Sequence, residues 1–320
     1  MRRLKPKQYF KLVLLMGCSA LVACQPVASL RQDAAAHQQL KPIYSQQLQV
    51  PQRVAQLTAP RVALVLGSGG SRGYAHVGVL QVLEQHGIRP DLIVGSSAGS
   101  FVGAVYASGK TAAQSEAIAR SVSRKNVRDF TWSRQGLLDG QKVANFVNQH
   151  VNSVPLQQLK IPMYVVVTDL QTGQPAVLAE GNTGQAVQAS IAIPTVFLPV
   201  QIQGKAYVDG GISTPLPVRI ARQLGADVVI AVDILAQPQD TSINGFWSLF
   251  NQNIVIMQSK MASEDAAFAD VLIQPKMLGK RLIFSTAGRD SSIAAGREAA
   301  LAALPKIQAV IAQAQAIHQQ

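Results

Sequence analysis

The stretch "RVALVLGSGGSRGYAHVGVLQVLEQHG" (61–87) decides the fold class of the chain. Its first seven residues are an apolar run that ends in glycine, which is typical of a short buried strand. After the glycine-rich loop 67–73, apolar residues recur with helical spacing and stop at Gly87, a residue type common just beyond a helix end. The stretch therefore predicts a strand, a tight loop and an amphipathic helix over about 73–86.

Strands and helices continue to alternate through the rest of the chain. A second strand is predicted at "DLIVGS" (91–96), and a helix begins directly after it and ends at Gly109. The later predicted elements are a hairpin formed by 163–170 and 174–181, strands over 205–211 and 227–235, and helices over 217–224, about 250–268 and about 290–317. This alternation predicts a mostly parallel sheet covered on both faces, a three-layer α/β/α domain. Functional residues are then expected in the loops that follow the strands.

The N-terminal residues predict a bacterial lipoprotein signal. Residues 1–23 carry five basic residues, no acidic residue and an apolar run too short to span a membrane. The tetrapeptide "LVAC" resembles a lipobox, in which Cys24 would carry the lipid anchor. Gln25 after the cysteine favours the outer membrane of the cell envelope as the destination. A plain secretory signal and a retained anchor are the alternatives for this segment.

Composition predicts the remaining domain boundaries, and charge indicates which partners are expected. Residues 24–58 are rich in Gln, Ala and Pro and predict a tether. Residues 59–320 predict one globular domain, with its motifs within about 61–235 and its C-terminal helices within about 250–318. The chain is 48% hydrophobic, and five of its basic residues lie in the predicted signal, so removing the signal lowers the net charge from +12 to +7. Because the other basic residues form no block, a nucleic-acid partner is not expected.

The pentapeptide "GSSAG" (95–99) fits the pattern G-x-S-x-G and places Ser97 where the second predicted strand turns into a helix. Small neighbours such as Gly95 and Gly99 let the chain pass close on both sides of a serine in a strained turn. The helix N-terminus also favours negative charge. Ser97 is therefore a candidate nucleophile, and a plain helix N-cap is the alternative.

The glycine loop 67–73 could hold either a phosphate group or a negative charge that exists only during a reaction. A dinucleotide site needs an acidic residue about 20 positions further on, at the end of the second strand. The serines of "GSSAG" stand there instead, and no Gly-Lys-Ser/Thr sequence follows the loop. The second interpretation is therefore favoured. The N–H groups of Gly69 and Gly70, with that of Ala98, would form an oxyanion hole beside Ser97.

A serine nucleophile needs a base, and the histidines are poorly placed for that role. After Ser97 the sequence contains His150, at a predicted helix end, and His318, two residues from the last residue. His76 follows the glycine loop closely, where packing or hydrogen bonding beneath the loop is the expected role. A carboxylate base is therefore the more economical hypothesis.

Three aspartates follow predicted strands after the candidate nucleophile: Asp169, Asp209 and Asp233. Asp169 is expected in a hairpin turn, and Asp233 is expected as a buried, hydrogen-bonded strand residue. Asp209 is followed by Gly210 and Gly211, which permit its loop to approach another backbone closely. Asp209 is therefore the candidate base, and a turn-forming Asx residue is the alternative.

The motifs "GSGGSRG", "GSSAG" and "DGG", in this order, resemble those of the patatin-like phospholipase family, which are serine acyl hydrolases with a Ser–Asp dyad and no catalytic histidine. The similarity covers about 61–235 and includes "YAHVGVL" after the first loop and "ASIAIPTVFLPV" (189–200). It implies that Ser97 is the nucleophile and Asp209 the base. The other candidate site residues are Gly69, Gly70, Arg72 and Ala98 around the oxyanion hole, and the motif glycines Gly67, Gly73, Gly95, Gly99, Gly210 and Gly211.

The resemblance implies a membrane-anchored hydrolase that cleaves acyl esters of lipids or phospholipids, of the phospholipase A or lysophospholipase type. The expected partners are the lipid substrate and the membrane reached through the N-terminal anchor, and no cofactor or metal is expected. A general carboxylesterase or thioesterase for short acyl chains is one alternative, and a non-catalytic lipid-binding scaffold is another. Two features depart from the family pattern: Ser68, where many members have glycine, and the lipobox itself.

Overall fold

The computed structural model describes residues 40–52, 59–131, 133, 135–241, 243–277 and 288–319, all within one compact unit. The predicted signal, Cys24 and the first part of the predicted tether lie outside these described residues. The strands are β1 (Pro42–Tyr44), β2 (Val62–Leu66), β3 (Leu92–Ser96), β4 (Gly136–Leu138), β5 (Met163–Asp169), β6 (Pro175–Leu178), β7 (Thr195–Phe197), β8 (Val200–Ile202), β9 (Lys205–Asp209), β10 (Val228–Val232) and β11 (Val271–Ile273). The α-helices are α1 (Tyr74–Gln85), α2 (Ala98–Ala107), α3 (Ala112–Ser121), α4 (Arg124–Val127), α5 (Gln141–His150), α6 (Thr183–Ser190), α7 (Val218–Gln223), α8 (Phe246–Ala266) and α9 (Arg289–His318).

Nine of the described strands form one sheet. Its order is β1-β6-β5-β3-β2-β10-β11, with β9 beside β5 and β8 beside β9. The neighbours from β5 through β3, β2 and β10 to β11 are parallel, whereas the pairs β1–β6, β6–β5, β5–β9 and β9–β8 are antiparallel. Helices lie in the crossovers between the parallel strands, as the alternating pattern predicts.

The central strands are buried on both faces, which makes the domain three-layered. In β2, Leu64 and Leu66 pack on one side in a core shared with α1, α2 and α9. Ala63 and Val65 pack on the other side with residues of α7 and α8. The predicted mostly parallel α/β/α fold is therefore confirmed. By length and composition alone α9 could cross a membrane, and in the structure it packs along α1.

One part of the predicted domain organisation was wrong. Residues 42–44, assigned to the tether from the sequence, form the edge strand β1, which pairs with β6. The Tyr44 hydroxyl donates a hydrogen bond of 2.5 Å to the carboxylate of Asp169 at the end of β5. The domain therefore includes residues before the predicted boundary at 59. A strand of three residues is too short to show the alternation of apolar and polar positions by which longer strands are predicted.

Candidate active site

Ser97 lies in a strained turn between β3 and α2. The strand ends at Ser96 and the helix begins at Ala98. Ser97 itself has φ 52° and ψ −116°, and its side chain is buried. A positive φ is uncommon for a residue with a side chain and is characteristic of turns that hold a serine out at the edge of a sheet. The structure thus has Ser97 in the strand-to-helix turn that the motif predicts.

The turn at Ser97 is packed so tightly that one of its glycines has no substitute. A Cβ atom at position 99 would lie 1.9 Å from the carbonyl oxygen of Leu66 in the neighbouring strand β2. Gly99 therefore allows the first turn of α2 to cross directly over the end of β2. Because Leu66 is followed by the glycine loop, this close contact also brings the loop and the serine turn together.

A hydrogen-bonded serine from a distant helix holds the turn in place. The N–H of Ser97 donates a hydrogen bond of 2.9 Å to the Ser190 hydroxyl, which in turn donates one of 2.7 Å to the carbonyl oxygen of Val166. Ser190 is the last residue of α6 and is fully buried. No sequence motif identifies Ser190 as a site residue. Its position in "ASIAIPTVFLPV" (189–200), between the two motifs that carry Ser97 and Asp209, was the available signal.

The register of the sheet brings Asp209 next to Ser97. Strand β3 and strand β9 lie on the same edge of β5, because β6 occupies the other edge. Ser96 pairs with Val166, and Asp209 pairs with the next residue, Val167. The chain that leaves β3 and the chain that ends β9 therefore meet end to end. As a result, the Ser97 hydroxyl donates a hydrogen bond of 2.7 Å to Oδ2 of Asp209.

The Asp209 carboxyl group is buried in a site that alters its acidity. Burial raises its pKa from the ordinary 3.8 to about 6, while the hydrogen bonds from the Ser97 hydroxyl and the Gly211 N–H oppose that rise. The Gly211 N–H donates to Oδ1 over 2.7 Å, so each carboxylate oxygen accepts one hydrogen bond. At neutral pH the group is ionised, yet it binds a proton more tightly than an exposed aspartate does. Such a carboxylate is suited to accept the serine proton.

The glycine loop leaves β2 at the same sheet edge at which Ser97 leaves β3, since Leu66 pairs with Gly95 in parallel register. The loop is fixed by its backbone: the Gly67 N–H donates to the carbonyl of Val232, and the Ser68 N–H donates to that of Pro215. The part of the loop that follows is a short 3₁₀ turn over Gly70–Gly73, which contains the buried Arg72.

Free backbone donors are expected at two adjacent helix starts in this region. Gly70 is the first residue of the 3₁₀ turn and has φ 56°, and Ala98 is the first residue of α2. N–H groups of a first helical turn have no partner within their own helix. A Cβ atom on Gly73 would lie 3.1 Å from the Cβ atom of Ala98, so the two turns are in contact. The starts of the 3₁₀ turn and of α2 therefore lie side by side.

Two of the candidate histidines, His76 and His150, have structural hydrogen bonds. Nε2 of His76 donates to the carbonyl oxygen of Gly67 over 2.8 Å, beneath the glycine loop, as the sequence predicts. Complete burial lowers the pKa of His76 to about 4, so the ring is neutral. His150 ends α5 and bonds through Nδ1 to the carbonyl of Phe146. His318 is the last residue of α9.

The two other candidate aspartates have local roles: Asp169 lies in the predicted turn, and Asp233 is buried and hydrogen-bonded as predicted but follows the strand instead of lying in it. Asp169 accepts hydrogen bonds from the N–H groups of Gln171 and Thr172 in the turn between β5 and β6. Asp233 is buried directly after β10 and accepts a hydrogen bond from the N–H of Leu235. Within the described ranges, no group of three or more His, Cys, Asp or Glu side chains is arranged to hold a metal ion.

Comparison with known proteins gives relatives in sequence and in fold. The family model described as patatin-like phospholipase matches residues 64–222. An uncharacterized NTE family protein of Mycobacterium tuberculosis is 40% identical over 185 residues, which make up 57% of this chain and 51% of that protein. The lysophospholipase nte1 of Aspergillus fumigatus is 31% identical over 203 residues, or 60% of this chain and 13% of that protein. VipD from Legionella pneumophila has a similar structure, with a TM-score of 0.52 and 13% identity, over 83% of this chain and 70% of that chain.

The fold and the hydrogen-bonded Ser97–Asp209 pair define a patatin-like α/β domain. The matched residues contain the last three residues of β2, the glycine loop and both members of the pair, and the chain belongs to the patatin-like phospholipase family. The likeness to VipD extends to the fold alone. The chain spans about half the length of the mycobacterial relative that it matches.

Proposed function

We propose that the protein is a serine hydrolase that cleaves acyl esters of lipids, with Ser97 as nucleophile and Asp209 as general base. The observation that carries the proposal is the 2.7 Å hydrogen bond from the Ser97 hydroxyl to Oδ2 of Asp209. It joins a serine in a strained turn to a buried carboxylate whose pKa is raised to about 6. A nucleophile and a base within hydrogen-bonding distance are what covalent acyl transfer requires.

The first half of the reaction forms an acyl-enzyme. The Ser97 oxygen attacks the ester carbonyl carbon while its proton moves to Oδ2 of Asp209, and the carbonyl π electrons move onto oxygen. When the tetrahedral intermediate collapses, the ester C–O bond breaks and the leaving alcohol oxygen takes the proton back from Asp209. In the second half, a water molecule gives a proton to Asp209 and attacks the acyl carbon. The Ser97 oxygen then leaves and recovers that proton.

The glycine loop supplies the proposed stabilisation of the intermediate. The N–H groups of Gly69, Gly70 and Ala98 would donate to the negatively charged oxygen of the tetrahedral intermediate. Loss of one such donor typically costs about 3 kcal/mol of transition-state stabilisation. Gly69 and Gly70 follow a backbone that is fixed by the Gly67 and Ser68 hydrogen bonds, so in the proposed mechanism these two donors need no reorganisation during the reaction.

The proposed substrate class is lipid acyl esters. The family description names phospholipases, and the relative from Aspergillus fumigatus is named a lysophospholipase. Both names support an ester of a long acyl chain as the substrate of this chain. A series of p-nitrophenyl esters of increasing chain length, compared with lysophospholipid and phospholipid, separates this proposal from a short-chain carboxylesterase or thioesterase. We expect the highest kcat/KM on the long-chain lipid esters.

The direct test of the chemistry is the hydrolysis of a soluble p-nitrophenyl ester by the purified full chain. Ser97→Ala should abolish hydrolysis. Ser108→Ala is a matched control, because Ser108 lies at the other end of α2 and its hydroxyl bonds to the Val105 carbonyl of its own helix. Full activity in Ser97→Ala, or no activity in the unmodified chain, would refute the proposed function.

The proposal also includes a lipid anchor at Cys24 and a location in the cell envelope, on the periplasmic side of an outer membrane. Its support is the sequence of residues 1–24, which lie outside the described part of the chain. Labelled palmitate should be incorporated by the expressed protein and not by Cys24→Ala. Equal incorporation in both would remove this part of the proposal.

A further inference from the structure

The first half of helix α8 exposes an unusual number of large apolar side chains. Five of them, Leu249, Phe250, Ile254, Ile256 and Met257, have between 37% and 57% of their surface exposed. They lie on neighbouring rows of the helix, opposite the buried Val255 and Ala262. Ala262 packs in the core between α8 and the sheet. We call these five residues the α8 apolar face. Large apolar patches of this kind mark surfaces that bind a partner or a membrane.

The α8 apolar face lies at the edge of the sheet that carries the candidate active site. Helix α8 connects β10 to β11, which are parallel neighbours. It must therefore start near the carboxyl ends of the strands, where Ser97 and the glycine loop lie, and run back towards their amino ends. Midway along α8, Nε2 of Gln258 donates a hydrogen bond of 2.9 Å to the carbonyl oxygen of Gly211, two residues after Asp209. The next residue, Ile212, is 40% exposed.

The charges along α8 fit an anionic surface, and the acidic residue that precedes the helix is Asp240, in the turn Pro238–Asp240. The chain has no acidic residue between Thr241 and Ser263. The exposed Lys260 follows the apolar residues, and the exposed Lys276 follows β11 at the same edge of the sheet. The acidic residues of α8, Glu264 and Asp265, come in its last turn, at the opposite end of the sheet. The apolar half of the helix thus faces the catalytic edge and the acidic end points away from it.

We propose that the α8 apolar face inserts into the surface of a lipid bilayer that contains anionic headgroups, and thereby brings the candidate active site to its lipid substrate. The proposal rests on the proposed function for the identity of that substrate. Apolar side chains enter the boundary between headgroups and acyl chains, while lysines at its margin bind the anionic headgroups. This contact is separate from the predicted anchor at Cys24, which could tether the domain in any orientation.

Vesicle binding tests the proposal. The parent protein is the full chain with Cys24→Ala, which removes the proposed acylation, and Ser97→Ala, which removes the proposed nucleophile. It is sedimented with vesicles of phosphatidylcholine and phosphatidylglycerol. Adding Phe250→Glu and Met257→Glu should weaken binding about tenfold or more, since two exposed apolar groups that would enter the bilayer become charged groups beside anionic lipid. Leu301→Glu is the matched control, because Leu301 is 48% exposed on α9. It should change binding less than about twofold.

Binding that is unaffected by the two substitutions, or equally weakened by Leu301→Glu, would overturn the proposal. The proposal would also be overturned if the two substitutions converted a dimer to a monomer on gel filtration and left vesicle binding unchanged. The α8 apolar face would then be an interface between two copies of the chain. Hydrolysis of a soluble p-nitrophenyl ester by the same variants with Ser97 restored checks their folding and should stay at the level of the parent. If the parent itself hydrolyses no ester, the proposed function fails, whereas the vesicle result still decides the docking surface.

Discussion

Asp209→Asn is expected to stabilise the protein while it abolishes the proposed activity. Burial raises the pKa of Asp209 from 3.8 to about 6. Below about pH 4 the carboxyl is protonated in both the folded and the unfolded chain, so it contributes no penalty. Between about pH 4 and 6 the unfolded chain loses the proton first, and above pH 6 the penalty is complete. A shift of about two units corresponds to about 3 kcal/mol of stability lost as the pH rises through this window.

The measurement is the free energy of unfolding in urea at pH 4 and at pH 8, for the unmodified chain and for Asp209→Asn. The amide nearly matches the carboxylate in shape and can still accept the Gly211 hydrogen bond. We expect similar stabilities at pH 4 and a gain for Asp209→Asn of up to about 3 kcal/mol at pH 8. Ser97→Ala is the control, since it lacks the nucleophile and keeps the buried carboxyl group. If Asp209→Asn is less stable than the unmodified chain at pH 8, burial of the ionised carboxylate does not lower the free energy of unfolding, and the reasoning is refuted.

Three further outcomes are expected from the same geometry. The kcat/KM of ester hydrolysis should fall as the pH decreases through about 6, the pKa of Asp209, because the base must be ionised; a profile that stays flat to pH 4.5 would contradict this. Ser190→Ala should cost about 1–3 kcal/mol in unfolding free energy, since it leaves the buried Ser97 N–H without an acceptor. It should also decrease kcat strongly while KM changes little. Gly99→Ala should prevent folding or cost more than about 4 kcal/mol, since its Cβ would lie 1.9 Å from the Leu66 oxygen; circular dichroism and urea denaturation measure this.

The sequence was sufficient for the parts of the site that depend on local patterns. The strand, glycine loop and helix over 61–87 and the serine turn at 95–99 each lie within one short segment, where residue type and spacing determine the backbone. Asp209 could be chosen among three aspartates because two glycines follow it. These signals arise from residues adjacent in the chain, so one sequence contains them completely.

The remaining parts depend on contacts between distant segments. Ser190 supports the Ser97 turn across 93 positions of sequence, and no local pattern distinguishes it from any other helix-terminal serine. The closeness of Asp209 to Ser97 results from the pairing of β3 and β9 with successive residues, Val166 and Val167, of one strand. Such a register is set by the packing of the whole sheet. The three-residue strand β1 escaped prediction because its strand conformation comes from pairing with β6 and not from a pattern in its own sequence.

The measurement that tests the central claim most directly is the site of covalent labelling by a fluorophosphonate. The full chain is treated with the probe, digested and analysed by mass spectrometry. One label per chain is expected, on the peptide that contains Ser97, with no label on Ser97→Ala and much slower labelling of Asp209→Asn. Labelling of a different serine, or equal labelling of the unmodified chain and Ser97→Ala, would contradict the assignment of Ser97 as a nucleophile activated by Asp209.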